Sequence, residues 1–280
     1  MDTYIKFEDL VYADLTVEAI YEGGPKDNVS DDPISKLLKC ENMGGFRISG
    51  SKKDHRYRLC GIYTDLVNPD WPDIIEKETG KFIYFGDNRS HGKNLHETPK
   101  GGNQLLKYVF EQLHLGNRIS IPPFFIFSKS GRRRDVVFQG IAVPGHPDIN
   151  DTEDLVAIWK LKKGKRFQNY KSIFTILDVA TVKREWIEDI QNGHTFTSNA
   201  PKAWLEWVET GFYKPLVAER TIEHRTREEQ IPLSPIRYAM VEAIIEHFKG
   251  HPKGEYAFEE CAALLAKMMD SNIINYDLTR

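Results

Sequence analysis

Apolar positions along this 280-residue chain change their period several times, and each change marks an element. Over Asn103–Leu113 they fall at Leu105, Leu106, Val109, Phe110 and Leu113. That is the i, i+1, i+4, i+5, i+8 face of an amphipathic helix. Before it, Tyr57–Tyr63 and Lys81–Phe85 are short aromatic and aliphatic runs that read as strands. After it come four β-like runs: Phe124–Phe127, Asp135–Val143, Leu155–Leu161 and Arg166–Leu177. Turn signals separate them at Ser130-Gly131, Pro144-Gly145-His146-Pro147 and Lys163-Gly164. Strands at this spacing predict a sheet that curls toward a barrel. Two helices then carry Trp186, Trp204 and Trp207, over Lys183–Gly193 and Pro201–Gly211. Pro201 suits a helix start and Gly211 a helix end. Upstream, Asp31 or Asp32 before Pro33 predicts the cap of a short helix running to Cys40.

The acidic Met1–Asp32 reads as a packed arm, and the polar Glu219–Ser234 as a linker. Ser234-Pro235 opens a helix through Lys249, and Phe258–Met269 is another. The expected organisation is an α+β domain over 1–218, a linker over 219–234 and a helical segment over 235–280. No apolar run is long enough for a membrane span. The start of the chain has no apolar core of the kind a secretory signal needs. Cys40, Cys60 and Cys261 are far apart and odd in number, so neither a disulfide framework nor a metal site is expected. A reducing cytosol is the natural setting. His55, His91, His96 and His114 show no metal-ligand spacing and read as surface or capping residues. The net charge of −3 argues weakly against nucleic acid as a partner. A local basic face matters more than the sum, and bases cluster at Arg47–Arg58 and Arg132–Arg134.

The stretch most suggestive of chemistry is Asn68–Arg89. It places Trp71 and Asp73 on a Pro-broken loop, Tyr84 on a strand, and Arg89 after Gly86. A nucleobase taken out of its stack needs flat partners, and base–aromatic stacking contributes roughly 1–3 kcal/mol per base. Cytosine offers a donor at its exocyclic amine where thymine offers an acceptor, so a carboxylate such as Asp73 would discriminate between them. A methyl group adds only about 1 kcal/mol through an apolar niche. Two readings are open on these residues alone: a base pocket, or core aromatics beside a helix-capping Asp73. Arg47, Lys52, Lys53, Arg89 and Lys93 read as lying on loops beside this stretch and are candidates for phosphate contact, or else solvated surface cations. The Gly-rich Asn42–Lys53 reads as a loop that lets backbone approach a ligand, or as a solvated turn. Arg132-Arg-Arg134 reads as a solvated hairpin turn.

Asp70-Trp-Pro-Asp73 and Thr79-Gly-Lys-Phe-Ile-Tyr-Phe-Gly-Asp-Asn-Arg89 resemble the SRA-like recognition domain of modification-dependent restriction endonucleases of the MspJI and AspBHI type. Ile121–Phe127, Gly140–Gly145, Glu153–Trp159 and Arg166–Tyr170 extend the likeness, which covers nearly the whole chain from about Asn42. The resemblance implies an α+β fold with a curved, barrel-like sheet. It implies double-stranded DNA carrying 5-methylcytosine or 5-hydroxymethylcytosine as partner, read by base flipping in a bacterial cytosol. Trp71 and Tyr84 would stack on the base and Asp73 would read its Watson–Crick edge. This chain has Trp71 where eukaryotic SRA domains have Tyr.

In the resembled family a PD-(D/E)xK nuclease follows the reader. Phe258–Met269, leading to Tyr276–Arg280, looks like its first helix and the approach to its first strand. Glu259 and Glu260 lie on that helix, but the strand pair that would complete a site is absent from the sequence. Binding without cleavage is therefore expected of the chain as given, with no catalytic residue and no cofactor for binding. Mg²⁺ is expected only for the nuclease part, and oligomers are conceivable for full-length members. Two rival readings are a chain that retains cleavage, and a protein-interaction domain whose aromatics are simply core.

Overall fold

In chain order the elements are β1 (Tyr4–Ile5), β2 (Leu15–Thr16), β3 (Ile20–Tyr21), α1 (Pro33–Leu38), β4 (Phe46–Ser51), β5 (Arg56–Thr64), β6 (Ile74–Glu76), β7 (Lys81–Phe85) and α2 (Gly102–His114). β8 (Phe124–Lys129), β9 (Val136–Pro144), β10 (Leu155–Lys162), β11 (Lys165–Ile176), β12 (Thr181–Val182), α3 (Arg184–Gln191), α4 (Lys202–Thr210), α5 (Pro235–Lys249) and α6 (Gly254–Met269) follow. This computed structural model describes residues 3–218 and 234–269. Almost all of the expected linker, and the approach to the first nuclease strand, lie outside the described residues. Chain contacts divide it into two units, 1–219 and 220–280.

The first unit is an α+β fold built on a ten-stranded mixed sheet. The main path runs β4-β5-β8-β9-β11-β7-β6, with β3 also on β9, β1 on β3, and β10 on β11. Among the described residues this path does not close into a barrel. β5 and β8 pair in parallel, while β8, β9, β11, β7 and β6 pair antiparallel. The helices cover the sheet with the faces their periodicity predicts. Leu105, Leu106, Val109 and Phe110 of α2 are all buried, and the Phe110 ring meets Phe174 of β11 edge-on at 5.6 Å. Trp186, Trp204 and Trp207 of α3 and α4 are fully buried. Trp186 sits 5.2 Å from Trp204 and 6.0 Å from Phe125 of β8. α1 begins as expected: the Asp32 carboxylate accepts from the Ser35 amide at 2.8 Å, with Pro33 in the first turn. It ends two residues short of Cys40, where Lys39 turns left-handed.

One expectation needs correction. The glycine-rich stretch 42–53 is not all loop, because Phe46–Ser51 forms β4 and pairs with β5. Phe46 and Ile48 are buried there, and a register shift at Ser49/Gly50 accommodates the glycine at φ 111°. Gly50 masks the strand in the sequence, since an internal glycine reads as a breaker but also suits a bulge. In the second unit α5 and α6 form a helix pair in which the Phe248 and Phe258 rings meet edge-on at 5.3 Å. No helix among the described residues is long and apolar enough to cross a membrane.

Trp186, Trp204 and Trp207 are the largest fully buried side chains among the described residues. Trp186→Ala should lower unfolding stability by about 3–5 kcal/mol, through lost burial and the cavity it leaves. It also abolishes the indole N–H bond to the Thr195 carbonyl, 2.8 Å long. Chemical denaturation of variant and wild type measures this; a loss under about 1 kcal/mol would contradict the packing described.

Candidate nucleic-acid interface

The loop following β7 is held by a buried amide network. Asn169 on β11 donates to the Gly86 carbonyl at 2.9 Å. Asn103 on α2 donates to Asn169 Oδ1 at 3.0 Å and accepts from the Asp87 amide. Asp87 in turn accepts from the amides of Gly102 and Asn103, at 2.8 and 2.9 Å, and so caps α2. A Cβ on Gly86 would overlap Asn103 Oδ1, so only glycine fits. This network presents Arg89 at the mouth of a cavity of about 250 Å³. Gly44, Gly45, Arg47, Tyr63, Thr64, Asp65, Asn68 and Asp73 complete its lining.

Asp73 is 6% exposed. Its Oδ2 accepts from the Thr64 hydroxyl at 2.8 Å and its Oδ1 from the Phe85 amide at 3.1 Å. It therefore ties its loop to β5 and β7 and caps no helix. An ionised carboxylate has about four acceptor sites, so two remain for a ligand. Burial pushes its pKa up to about 6, against the two hydrogen bonds and the nearby Arg89 charge, which pull it down. The Gly44-Gly45 backbone forms another part of the wall. Tyr63 donates its amide to the Gly45 carbonyl at 2.8 Å, and Arg47 Nε donates to the Gly44 carbonyl at 2.6 Å. Gly44 sits at φ 88°, where a side chain would be strained.

The expected stacking pair is not brought together. Trp71 packs with Phe85 and Phe167, at ring separations of 5.8 and 6.1 Å. Tyr84 packs with Phe46 and Phe82 in the main core, at 5.2 and 5.4 Å. Phe85 and Tyr84 are consecutive on β7, so their side chains leave opposite faces. Trp71 follows the Phe85 face and Tyr84 lies on the other. Both rings are buried, and neither lines the cavity. Tyr84 stands directly behind its wall: the hydroxyl donates to the Tyr63 carbonyl at 3.2 Å, and a Cβ on Gly45 would overlap it. The ring that does line the cavity is Tyr63. The sequence marks it as a strand residue without a role, because nothing in a lone Tyr separates a wall from a core position.

The candidate cations also divide. Arg89 is exposed and lines the cavity. Arg47 lines it too, but is 5% exposed and ion-paired to Asp32 at 2.8 Å. Lys52 pairs with Glu41 at 2.7 Å. Lys53 and Lys93 are exposed and line no part of the cavity. Away from it, His114, Asp151 and Asp154 bring ligand-type atoms within 4.8 Å of one another, a grouping the histidine spacing did not suggest. His114 Nε2 lies 2.9 Å from Asp154 Oδ2, an ordinary partner for that buried carboxylate.

Residues 15–219 match the family model described as restriction endonuclease AspBHI N-terminal. The chain belongs to this family. It is an N-terminal recognition domain of the modification-dependent restriction endonuclease type. The DNA recognition domain of the cytosine modification-dependent restriction endonuclease LpnPI is 41% identical, with a TM-score of 0.74, covering 79% of this chain and 99% of that one. The DNA modification-dependent restriction endonuclease AspBHI is 40% identical, also with a TM-score of 0.74, covering 99% of this chain and 70% of that one. No curated protein sequence matches it.

The raised Asp73 pKa has a consequence for stability. The folded carboxyl holds its proton more tightly than the unfolded one, whose reference value is 3.8. Its contribution to stability is therefore full below about pH 4, falls as pH rises to about 6, and is level above that. At about 1.4 kcal/mol per pKa unit the fall is at most roughly 3 kcal/mol. Denaturation across that range should give Asp73→Asn a shallower pH slope than wild type; identical slopes would contradict the shift.

Proposed function

We propose that this chain binds double-stranded DNA containing a 5-modified cytosine and takes the flipped base into the cavity bounded by Asp73, Tyr63 and the Gly44-Gly45 backbone. The observation carrying this reading is the buried Asp73 carboxylate, with acceptor capacity remaining, on a cavity lined by an aromatic ring and an exposed Arg. Asp73 accepts from the exocyclic amine, which thymine lacks. Tyr63 supplies one stacking face. Tyr84 underpins the wall and becomes a second face only if Gly45 moves off its hydroxyl. Trp71 anchors the Asp73 loop from the other side of the sheet. Arg89 contacts phosphate beside the flipped nucleotide, and the exposed Lys53 and Lys93 are further candidates. Arg47 and Lys52 are less available, since each already holds a carboxylate.

Flipping costs a few kcal/mol of unstacking, which contacts inside the cavity must offset. Both 5-methyl- and 5-hydroxymethylcytosine carry the amine that Asp73 would read, so this reading admits both. It assigns no metal to base binding, and places any Mg²⁺-dependent cleavage in a nuclease part outside the first unit.

Titration of labelled duplexes with and without one 5-methylcytosine tests the proposal. Wild type should prefer the modified duplex. Asp73→Ala should weaken binding to it by roughly ten- to a hundredfold, the range for a hydrogen bond to a charged group. Tyr63→Leu should weaken it by roughly tenfold through lost stacking. A 2-aminopurine beside the target should brighten on binding as its neighbour leaves the stack. Equal affinity of wild type for both duplexes would overturn the reading.

A further inference from the structure

The hairpin of β10 and β11 has two unlike faces. On one, Ile158 and Phe167 pack on Trp71, beneath the Asp73 loop. On the other, Trp159 and Leu161 are 60% and 69% exposed, on a strand with no fully buried position. They pair across the ribbon with Gln168 and Arg166, and the Arg166 guanidinium lies 5.2 Å from the Trp159 ring. From Leu155 to Lys171 the sequence has six cations and no acid: Lys160, Lys162, Lys163, Lys165, Arg166 and Lys171. In a chain of net charge −3, that is a marked local concentration.

The hairpin is also joined to the cavity's rim. Lys160 Nζ donates to the Asp70 carbonyl at 2.9 Å and lies 5.1 Å from the Trp71 ring centre. Lys162 Nζ reaches the Arg89 carbonyl at 3.4 Å. A duplex presenting a base to the cavity would bring its flanking phosphates past this ribbon.

We infer that the β10–β11 hairpin is a second DNA-contacting element, its lysine-rich tip on flanking phosphates and its Trp159/Leu161/Arg166 face against the duplex. This rests on the function proposed above, and extends it to a surface outside the cavity. A polyanion suits the acid-free ribbon, and a two-stranded ribbon fits a DNA major groove. An apolar protein partner would match the two exposed apolar side chains but leave the exposed tip lysines, Lys163 and Lys165, unanswered.

The tip variant Lys163→Gln/Lys165→Gln and the face variant Trp159→Ala test this, titrated at several salt concentrations with methylated and unmethylated duplexes. Both alter exposed side chains, so the fold should hold. The tip variant should bind both duplexes roughly tenfold more weakly and lower the salt slope by about 1–2, since each lost phosphate contact removes about 0.9. The face variant should weaken both duplexes, and neither variant should alter the ratio between them. Unchanged affinity and salt slope, or a loss confined to the methylated duplex, would overturn the inference. Asp73→Ala, run alongside, should weaken binding to the methylated duplex without lowering the salt slope. A wild type that prefers the methylated duplex while the hairpin variants match it would sink this inference alone. A wild type with no preference would sink the function on which it rests.

Discussion

Two asparagine side chains with no exposure to solvent, Asn103 and Asn169, set the terms for the interface. A buried amide left without partners costs about 1–3 kcal/mol, so each demands specific neighbours. Here those neighbours are the Gly86 carbonyl, the Asp87 and Asn88 amides, the Leu95 carbonyl and each other. The bonds lock α2, β11 and the loop after β7 into one geometry. Arg89 follows that loop directly, and its position beside the cavity results from the lock. A buried polar network of this kind stabilises one arrangement over its alternatives more than it adds net stability.

The second constraint is the alternation of a β-strand. Because Tyr84 and Phe85 face opposite ways, Tyr84 and Trp71, the expected stacking pair, belong to two different layers. Each still bears on the cavity from behind. Trp71 pins the Asp-Trp-Pro-Asp loop against the β10–β11 hairpin, and the next turn delivers Asp73 to Thr64 and the Phe85 amide. Tyr84 abuts the Gly45 wall. The same hairpin that covers Trp71 leaves Trp159 and Leu161 exposed, so the anchoring of the reading loop and the exposure of a basic ribbon have one structural cause.

The cations show why charge counts do not predict contacts. Arg47 sits in a basic stretch of sequence, yet folding buries it against Asp32. In that position its charge neutralises a helix-capping carboxylate and its Nε fixes the Gly44 turn. Arg89, one cation in a polar loop, remains exposed at the cavity. The lysines of the β10–β11 hairpin are hard to recognise as a group in the sequence, because they are interleaved with the apolar residues of a strand.

Local sequence determined the elements and much of their pairing partners' character. The α2 face, the tryptophan helices, β7 to its ends, and the Asp32 cap follow from periodicity and capping chemistry that act within a few residues. The Asp-Trp-Pro-Asp to Asn-Arg stretch was legible as the site's neighbourhood, and its family likeness was readable from those motifs. What tertiary structure alone decided was which side chains meet. Asp73 meets Thr64 and Phe85, Tyr63 meets the Gly44-Gly45 wall, and Trp71 parts from Tyr84. Each depends on strand register and on the face a residue takes, which contacts distant in sequence impose. β4 was hidden for a related reason: its glycine becomes a bulge only when β5 lies beside it.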